Sequence, residues 1–446
     1  EIASLIAKHT DGGIPDFTFR SVEPKTYLLI AGSKFGLITL PPANTFRGTA
    51  GLYALREQYT LTVESIRKMI QLLNDGGFIY IPVWTDQPPR APLKLLATIS
   101  QSLELESLLP QRHLAAVRDW NMIHFMVSKS PFSESQLALM EKFSREKKFD
   151  IILPEKLGSG PDKFHKFGKD DFVFSVSRIL SGKRENFIAG YKFNISPPTD
   201  DRPFFLNFLT FRAARHIIRT GSFRDFSFIE LGYMIMIAAF FQVSFAAVIL
   251  IILPLFKIKK KLKNKFFSIT YFSCLGLGFI FLEMVFIQKF TLYFGSPVSA
   301  AGFVMAFMLG TSGLGSYTSS KFNATAGNIL KVCFCVFLAV LAVSLILDSV
   351  IYRTIGAFPG IKALIAFAVI FPAAFLMGMP FPLGLKFIGK KDVSNIPWCW
   401  GIDGSLSVIG AVLASIISVN LGFSAVMFSV IVLYLAAALS TVSAGQ

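Results

Sequence analysis

The sequence of 446 residues predicts an α/β domain over residues 1–226, followed by an all-α polytopic membrane domain of about seven helices over residues 227–446. The first indication is charge: residues 227–446 hold 14 Lys/Arg and 5 Asp/Glu, which leaves 30 (44 − 14) and 23 (28 − 5) for residues 1–226. The second is a series of long apolar runs in the second part only. The third is a strand, helix, Gly-Gly, strand pattern in the first part, which is typical of a parallel crossover.

The first part contains the elements of a half-buried sheet. Alternating or continuous apolar residues predict strands, helical spacing of apolar residues predicts helices, and Asp75-Gly76-Gly77 is expected to end a helix. A hairpin around Arg118-Asp119-Trp120 and a Ser133/Gln136 capping box complete the pattern. The predicted strands are Phe17–Val22, Phe35–Leu40, Phe78–Trp84 and the hairpin arms His113–Val117 and Asn121–Val127; the predicted helices are Leu55–Leu73 and Phe132–Lys148.

The apolar runs of the second part are long enough to cross a bilayer, because about 20 helical residues span roughly 30 Å of hydrocarbon. Charged or turn-forming residues separate them, and only Asn420-Leu421-Gly422 divides the last two. The predicted spans are 228–254, 268–288, 297–317, 329–347, 362–385, 400–420 and 422–441.

Lysine and arginine in the short loops give two opposite indications of orientation. The loops after spans 1, 3 and 5 carry ten lysines, six of them in Lys257–Lys265, whereas the other loops carry Lys289, Arg353 and Lys362. The positive-inside rule then puts the lysine-rich loops in the cytoplasm. Four arginines between residues 212 and 224 favour the reverse, so the sequence leaves the side of residues 1–226 open.

Two carboxylates fall inside predicted spans and are the candidate polar residues of the membrane part. Glu283 lies deep in the second span, and Asp403 lies near the start of the sixth. Ionisable groups in a bilayer are costly and mark functional sites by default. The alternatives are a protonated carboxyl or pairing with Lys289 for Glu283, and an interfacial carboxylate for Asp403.

The segment Gly378-Met-Pro-Phe-Pro-Leu-Gly384 is expected to break its helix, because Pro380 and Pro382 each lack a backbone donor. Broken helices at membrane depth are found at the binding sites of transporters. Glu283, Asp403 and the Pro380/Pro382 break would then form a polar path.

Several motifs resemble those of spermidine synthases, which share the class I methyltransferase fold. In the soluble part these are Ser21–Leu29, Lys34–Leu40, Gly51–Tyr53 and Leu73–Phe78, which look like the third, fourth and fifth strand regions of that fold. The membrane part adds Gly276–Met284, Gly378–Gly384 and Trp398–Gly404, which are similar to motifs of bacterial polytopic membrane proteins with a spermidine-synthase-like domain. The resemblance implies a partial Rossmann-like domain lacking its first strands, in a multi-pass protein of the bacterial inner (plasma) membrane.

The resemblance also implies a chemistry, with two departures. It implies S-adenosylmethionine or decarboxylated S-adenosylmethionine as cofactor and a small amine as substrate, with Glu23 beside the adenine or the substrate. The glycine-rich cofactor loop is expected upstream of this chain, and Asp11-Gly12-Gly13 is interpreted as a turn. Leu40-Pro-Pro-Ala-Asn44 stands where aminopropyltransferases carry an acidic general base, so no catalytic residue is assigned.

Three functions follow from these patterns: an aminopropyl- or methyl-transferase-type enzyme or its degenerate relative, a transporter or permease-like protein with a regulatory soluble domain, and a scaffold without chemistry. The histidines have no metal-ligand spacing with the surrounding acids, so no metal is expected. The net charge of +16 is divided into +9 (14 − 5) and +7 (30 − 23), and the lysines are explained by membrane topology and anionic lipids. Nucleic acid is not an expected partner, whereas a lipid bilayer is.

Overall fold

The computed structural model describes residues 22–44, 54–154, 164–165, 171–210, 231–255 and 265–445. Within these ranges the chain forms a five-stranded mixed sheet with flanking helices and, from residue 231 onward, a bundle of long apolar helices. The predicted domain boundary at residue 226 and most of the predicted strand Phe17–Val22 lie outside the described residues.

The strand order of the sheet is β1-β2-β4-β3-β5, in which β1 and β2 are parallel and the other pairs are antiparallel. The elements of this part are α1 (Pro24–Ile30), β1 (Phe35–Thr39), α2 (Val63–Gln71), β2 (Leu73–Trp84), α3 (Ala91–Leu105), α4 (Pro110–His113), β3 (Leu114–Arg118), β4 (Met122–Ser128), α5 (Glu134–Lys147), β5 (Asp150–Leu153), α6 (Asp171–Ile179) and α7 (Arg184–Gly190).

The parallel crossover, the hairpin of β3 and β4, and the capping box of α5 confirm the sequence predictions. Two predicted boundaries are wrong. Helix α2 begins only at Val63, because Thr62 caps it after a short 3-10 turn over Tyr59–Leu61. Strand β2 begins at Leu73 and runs through the expected Gly-Gly terminator, since Leu73 pairs with Phe35 and an irregular register between Phe35 and Leu37 absorbs the glycines.

The core of the α/β part lies between the sheet and the helices α2 and α3. Alternate residues of β2, Ile79, Ile81 and Val83, are fully buried, as the two-residue period of a strand requires. Helix α2 contributes Ile66 and Met69 to the same cluster. This packing makes the sheet a rigid support for the loops at its edges.

Among the described residues of the second part, seven helices are long and apolar enough to cross a membrane, which confirms the predicted multi-pass architecture. The first is α8 (Leu231–Ala247), which continues through a π-helical turn (Val248–Ile252) to Leu255. The others are α9 (Lys265–Phe294), α10 (Pro297–Ser319), α11 (Ala326–Thr354), α12 (Pro359–Met377) with α13 (Pro380–Lys391), α14 (Ile396–Leu421) and α15 (Phe423–Gly445).

Helix α9 is the central helix of the bundle. In the most apolar 18-residue stretch of α9, 56% is buried, whereas the corresponding share of the first span is 11%. Helix α9 packs against α10, α14 and α15. It runs parallel to α14, because Gly276 lies against the Asp403 carbonyl and, further along, the Ser418 hydroxyl donates to the Gln288 side chain at 3.1 Å. The facing sides of α9 and α14 therefore contact each other along most of their length.

The α/β part lies against one end of the bundle. Thr26 in α1 donates to the Leu292 carbonyl at the end of α9, and Ile30 lies close to Gly356 in the turn between α11 and α12. The Asn420–Ser424 turn between α14 and α15 is at the same end. Helices α8, α10 and α13 therefore end at the opposite end, where the described lysines Lys321 and Lys386 are exposed.

Candidate functional site

The predicted cofactor residue Glu23 lies beside the membrane bundle. Its carboxylate accepts a hydrogen bond from the Thr26 backbone nitrogen (2.8 Å) and caps α1. A methyl group added at Gly295, between α9 and α10, would lie 3.7 Å from the Glu23 Cβ. Burial raises the pKa of Glu23, and the hydrogen bond to Thr26 offsets part of this rise.

The resemblance implied a strand region over Ser21–Leu29, but residues 24–30 form helix α1. The reason is local, because Pro24 at the first helical position and Glu23 as the capping residue both favour a helix start. Glu23 thus caps a helix at the membrane junction, and its cofactor role stays a prediction.

Side chains that follow the carboxyl ends of β1 and β2 form hydrogen bonds within the protein. The Asn44 amide accepts from the Trp84 nitrogen (2.7 Å) and donates to the Trp84 carbonyl (3.1 Å). After β2, Asp86 accepts from the backbone nitrogens of Arg90 and Ala91 and from the Arg90 side chain. The side chains of Asn44 and Asp86 are therefore engaged within the protein, and the cofactor stays a prediction.

The strongest polar cluster is formed where the α/β part meets the bundle, and Asp200 is its centre. Its carboxylate pairs with the Lys25 ammonium (2.9 and 3.0 Å) and accepts from the hydroxyls of Thr62 (2.6 Å) and Tyr352 (2.5 Å). The Asp200 backbone nitrogen donates to Glu64 (3.0 Å). Lys25 is 1% exposed, so this ion pair is desolvated and joins α1, α2 and α11.

Asp201 and Arg202, which follow Asp200, form hydrogen bonds to the turn between α14 and α15. Asp201 accepts from the Ser424 backbone nitrogen (2.9 Å) and hydroxyl (2.7 Å), and its carbonyl accepts from the Phe423 nitrogen (3.0 Å). The Arg202 guanidinium donates to the Asn420 carbonyl (3.1 Å). This partner is a helix-end carbonyl, where a cation is stabilising.

Glu57 is a half-buried residue at the same junction, and one of its carboxyl oxygens is buried. Burial raises the pKa of Glu57 to about 7, although the neighbouring Tyr59 hydroxyl and the positive charge of Lys289 both lower it. One of its oxygens has no hydrogen-bond partner among the described residues. Glu57 therefore changes charge near neutral pH.

Lys289 and Asp348 form an ion pair of 2.8 Å between α9 and α11 at the end of the bundle. Lys289 is also 3.8 Å from the Asp201 carboxylate. The alternative in which Lys289 pairs with Glu283 is therefore wrong. The pair borders two cavities: a polar one of about 410 Å³ against the α/β part, and an apolar one of about 280 Å³ within the bundle.

The two predicted intramembrane carboxylates lie within the helical bundle. Glu283 is buried in α9 and Asp403 is half-buried in α14. Neither carboxylate makes a hydrogen bond or ion pair with any residue that the structure describes. Asp403 lies level with Gly276, which is seven residues before Glu283 on α9, so about 10 Å of helix separates the two levels.

Pro380 and Pro382 lie in the first turn of α13, where helix nitrogens have no intrahelical acceptor. Between α12 and α13, Gly378 and Met379 keep helical dihedral angles, and a single span continues to Lys390. The Pro380 carbonyl accepts from the Tyr271 hydroxyl at 2.8 Å. The proline segment is a tightly packed discontinuity within one span.

Polar groups lie on or next to α9 at intervals from one end of this helix to the other. Tyr271 contacts Pro380, Gly276 is level with Asp403, Glu283 follows, and Lys289 meets the polar cavity. Eighteen residues separate Tyr271 from Lys289, which is about 27 Å of helix and close to the thickness of a bilayer core. The structure does not bring Glu283, Asp403 and the prolines into contact, but it arranges them at successive depths.

Sequence reasoning missed most of the junction, namely Lys25, Glu57, Asp348 and Tyr352. The only signal for it was the triple-charge motif Asp200-Asp201-Arg202 before the first span. The partners of this motif are up to 223 positions away, and a pattern of local spacing does not reveal such pairs.

Comparisons with protein-family models, curated proteins and solved structures find no match for this chain. The structure shows the architecture of a multi-pass membrane protein whose mixed-sheet domain lies against one end of a helical bundle.

Proposed function

We propose that this chain is a transporter- or permease-like protein of the bacterial plasma membrane that moves a small amine, with a spermidine-synthase-like soluble domain as its regulatory part. One observation carries the proposal: Glu283 is a buried residue of the central helix, and its carboxyl has no partner among the described residues. An unpaired carboxylate at this depth costs several kcal/mol, so a cation or a proton is needed to neutralise it.

The geometry of α9 supports the same function. Asp403 and Glu283 lie at two depths of the bundle, and the Lys289–Asp348 pair follows at the domain end. An ammonium group can exchange between carboxylates at successive depths, as in other intramembrane relays. The polar cavity at the junction is where such a cation would meet the soluble domain.

The test is uptake of radiolabelled spermidine by proteoliposomes that contain the full chain. We expect Glu283→Gln to abolish uptake, because the amide keeps the shape and removes the charge. Glu283→Asp keeps the charge and should retain part of the uptake. Glu141→Gln, on exposed helix α5, is the matched control and should leave uptake unchanged. Equal uptake by the wild type and Glu283→Gln rejects the proposal.

A second candidate is an aminopropyl- or methyl-transferase-type enzyme, as the resemblance implies. The observation that favours it is the parallel pair β1 and β2 followed by an antiparallel hairpin, an arrangement common in doubly wound sheets. Its test is calorimetric titration of the full chain with S-adenosylmethionine and with its decarboxylated form. Binding that Glu23→Gln weakens would support the role of Glu23, and absence of heat at millimolar ligand would exclude this function.

A further inference from the structure

Two cavities of different character meet at the Lys289–Asp348 pair. The polar cavity of about 410 Å³ is lined by four acidic and four basic side chains. The apolar cavity of about 280 Å³ lies between α9, α11 and α15 and is lined mainly by aliphatic and aromatic groups such as Leu347, Met427 and Phe428. Lys289 and Asp348 line both cavities. A ligand that fills both needs a charged head and an apolar tail.

The charges at the boundary point to a zwitterionic head. The Lys289 side chain is 12% exposed and lies between the carboxylates of Asp348 (2.8 Å) and Asp201 (3.8 Å), while the Asp348 side chain is 54% exposed. Lys289 can therefore donate to an anionic group, and Asp348 has a free oxygen for an ammonium. With equal numbers of acids and bases in the polar cavity, a ligand with one charge of each sign leaves the balance unchanged.

The apolar cavity indicates that the tail comes from the bilayer. It lies against α15, where Phe428 is 65% exposed on the surface of the bundle. Its charged border is near the end of α9, at the depth of the headgroup region. Each methylene group buried there contributes about 0.8 kcal/mol, which a free headgroup lacks.

We propose that this boundary binds one phospholipid with a primary-amine headgroup, of the phosphatidylethanolamine class. Its phosphate contacts Lys289, its ammonium contacts Asp348 and Asp201, and one acyl chain lies in the apolar cavity between α11 and α15. A primary ammonium donates hydrogen bonds to the carboxylates, which a quaternary ammonium cannot do. This site shares the Lys289–Asp348 pair with the proposed cation route but does not include Glu283, and lipid retention tests it independently of transport.

The test is native mass spectrometry of the full chain taken from nanodiscs with equal amounts of phosphatidylethanolamine, phosphatidylcholine and phosphatidylglycerol. We expect one retained phosphatidylethanolamine, and a loss of about ten-fold in its retention in Lys289→Met and in Asp348→Asn, as for a lost charge-assisted hydrogen bond. Lys321→Met, an exposed lysine at the opposite end, is the matched control.

Two further variants separate a lost site from a lost fold. Asp348→Glu keeps the charge and should keep the lipid preference, and Leu347→Trp should fill the apolar cavity and expel the lipid while the charges remain. Equal retention of the three lipids, or unchanged retention in both charge variants, overturns the proposal. Displacement of the lipid by millimolar glycerophosphoethanolamine also overturns it, because the site would then belong to a soluble zwitterion.

Discussion

At the scale of single residues, Asp200 joins the two parts through three side chains. Its carboxylate binds one cation and two hydroxyls that come from α1, the cap of α2, and α11. An ion pair of this kind contributes little net stability when intact, but the loss of one partner leaves a buried charge. Asp200 therefore fixes how the parts fit together more than how stable each part is.

We expect Asp200→Asn to lower the free energy of unfolding by about 3–5 kcal/mol, because the Lys25 ammonium then stays buried without a counter-charge. Urea or thermal unfolding of the detergent-solubilised chain measures this. Asp75→Asn is the control, since Asp75 is 90% exposed and its pair with Lys129 lies on the surface. If both variants unfold alike, Asp200 has no special role.

Glu57 predicts a pH dependence of stability with a definite sign. Its pKa is raised by burial to about 7, so the folded state binds more protons than the unfolded state between the ordinary value of 4.5 and pH 7. Stability therefore falls as the pH rises through this window, by on the order of 3 kcal/mol, and then levels off.

The measurement is thermal unfolding at pH 5 and pH 8. Glu57→Gln mimics the protonated carboxyl, so we expect it to match the wild type at pH 5 and to be more stable than the wild type at pH 8. Glu141→Gln, which removes an exposed carboxylate, should keep the pH dependence. An unchanged difference between the two pH values in Glu57→Gln contradicts the raised pKa.

At the scale of elements, α10 and α12 approach each other through glycine. A methyl group added at Gly315 would lie 1.9 Å from the Phe375 carbonyl oxygen, and one at Gly378 would lie 2.0 Å from the Ser312 carbonyl oxygen. Backbones at this separation leave no room for a side chain, as in other small-residue contacts between membrane helices.

We expect Gly315→Ala to separate α10 from α12 and to destabilise the bundle by about 1–3 kcal/mol, the usual cost of overpacking. Gly313→Ala is the matched control, because its added methyl group meets nothing within 4 Å. Unfolding by denaturing detergent compares them. Equal stability of the two variants would mean that the helices adjust freely.

The sequence predicts elements well where their signal is local. The seven spans, β1, the β3–β4 hairpin and the capping box at Ser133 follow from apolar length, alternation and cap chemistry. The start of α2 and the extent of β2 do not, because Thr62 and the pairing of Leu73 with Phe35 decide them. Glu283 was found because a charge in an apolar run stands out, whereas Lys25, Glu57 and Tyr352 are ordinary until the fold joins them.

At the scale of the whole molecule, the structure sharpens the question of orientation. Three basic residues of the bundle, Lys289, Arg353 and Lys362, lie at the end that faces the α/β part. Lys289 pairs with Asp348, and Lys362 donates to the Tyr293 carbonyl at 2.9 Å. Among the described residues, Lys321 after α10 and Lys386 in α13 are exposed at the other end. The positive-inside rule then favours a domain outside the cytoplasm.

This orientation predicts the labelling of single cysteines in a background without Cys274, Cys333, Cys335 and Cys399. We expect a membrane-impermeant maleimide to label Lys142→Cys, on exposed helix α5, in intact cells, and to label Lys321→Cys only after the cells are opened. The reverse pattern would assign the α/β part to the cytoplasm, as the arginines between residues 212 and 224 favour.

The contact between Asp201 and Ser424 also has a consequence for how the chain is made. The first backbone nitrogens of α15 are capped by a residue that is synthesised 223 positions earlier. During synthesis α15 therefore follows its acceptor, and the start of this helix is capped only when the acceptor is folded in place. A nascent chain with a damaged α/β part would leave α15 uncapped, so that errors in the α/β part would expose a membrane helix to quality-control proteolysis.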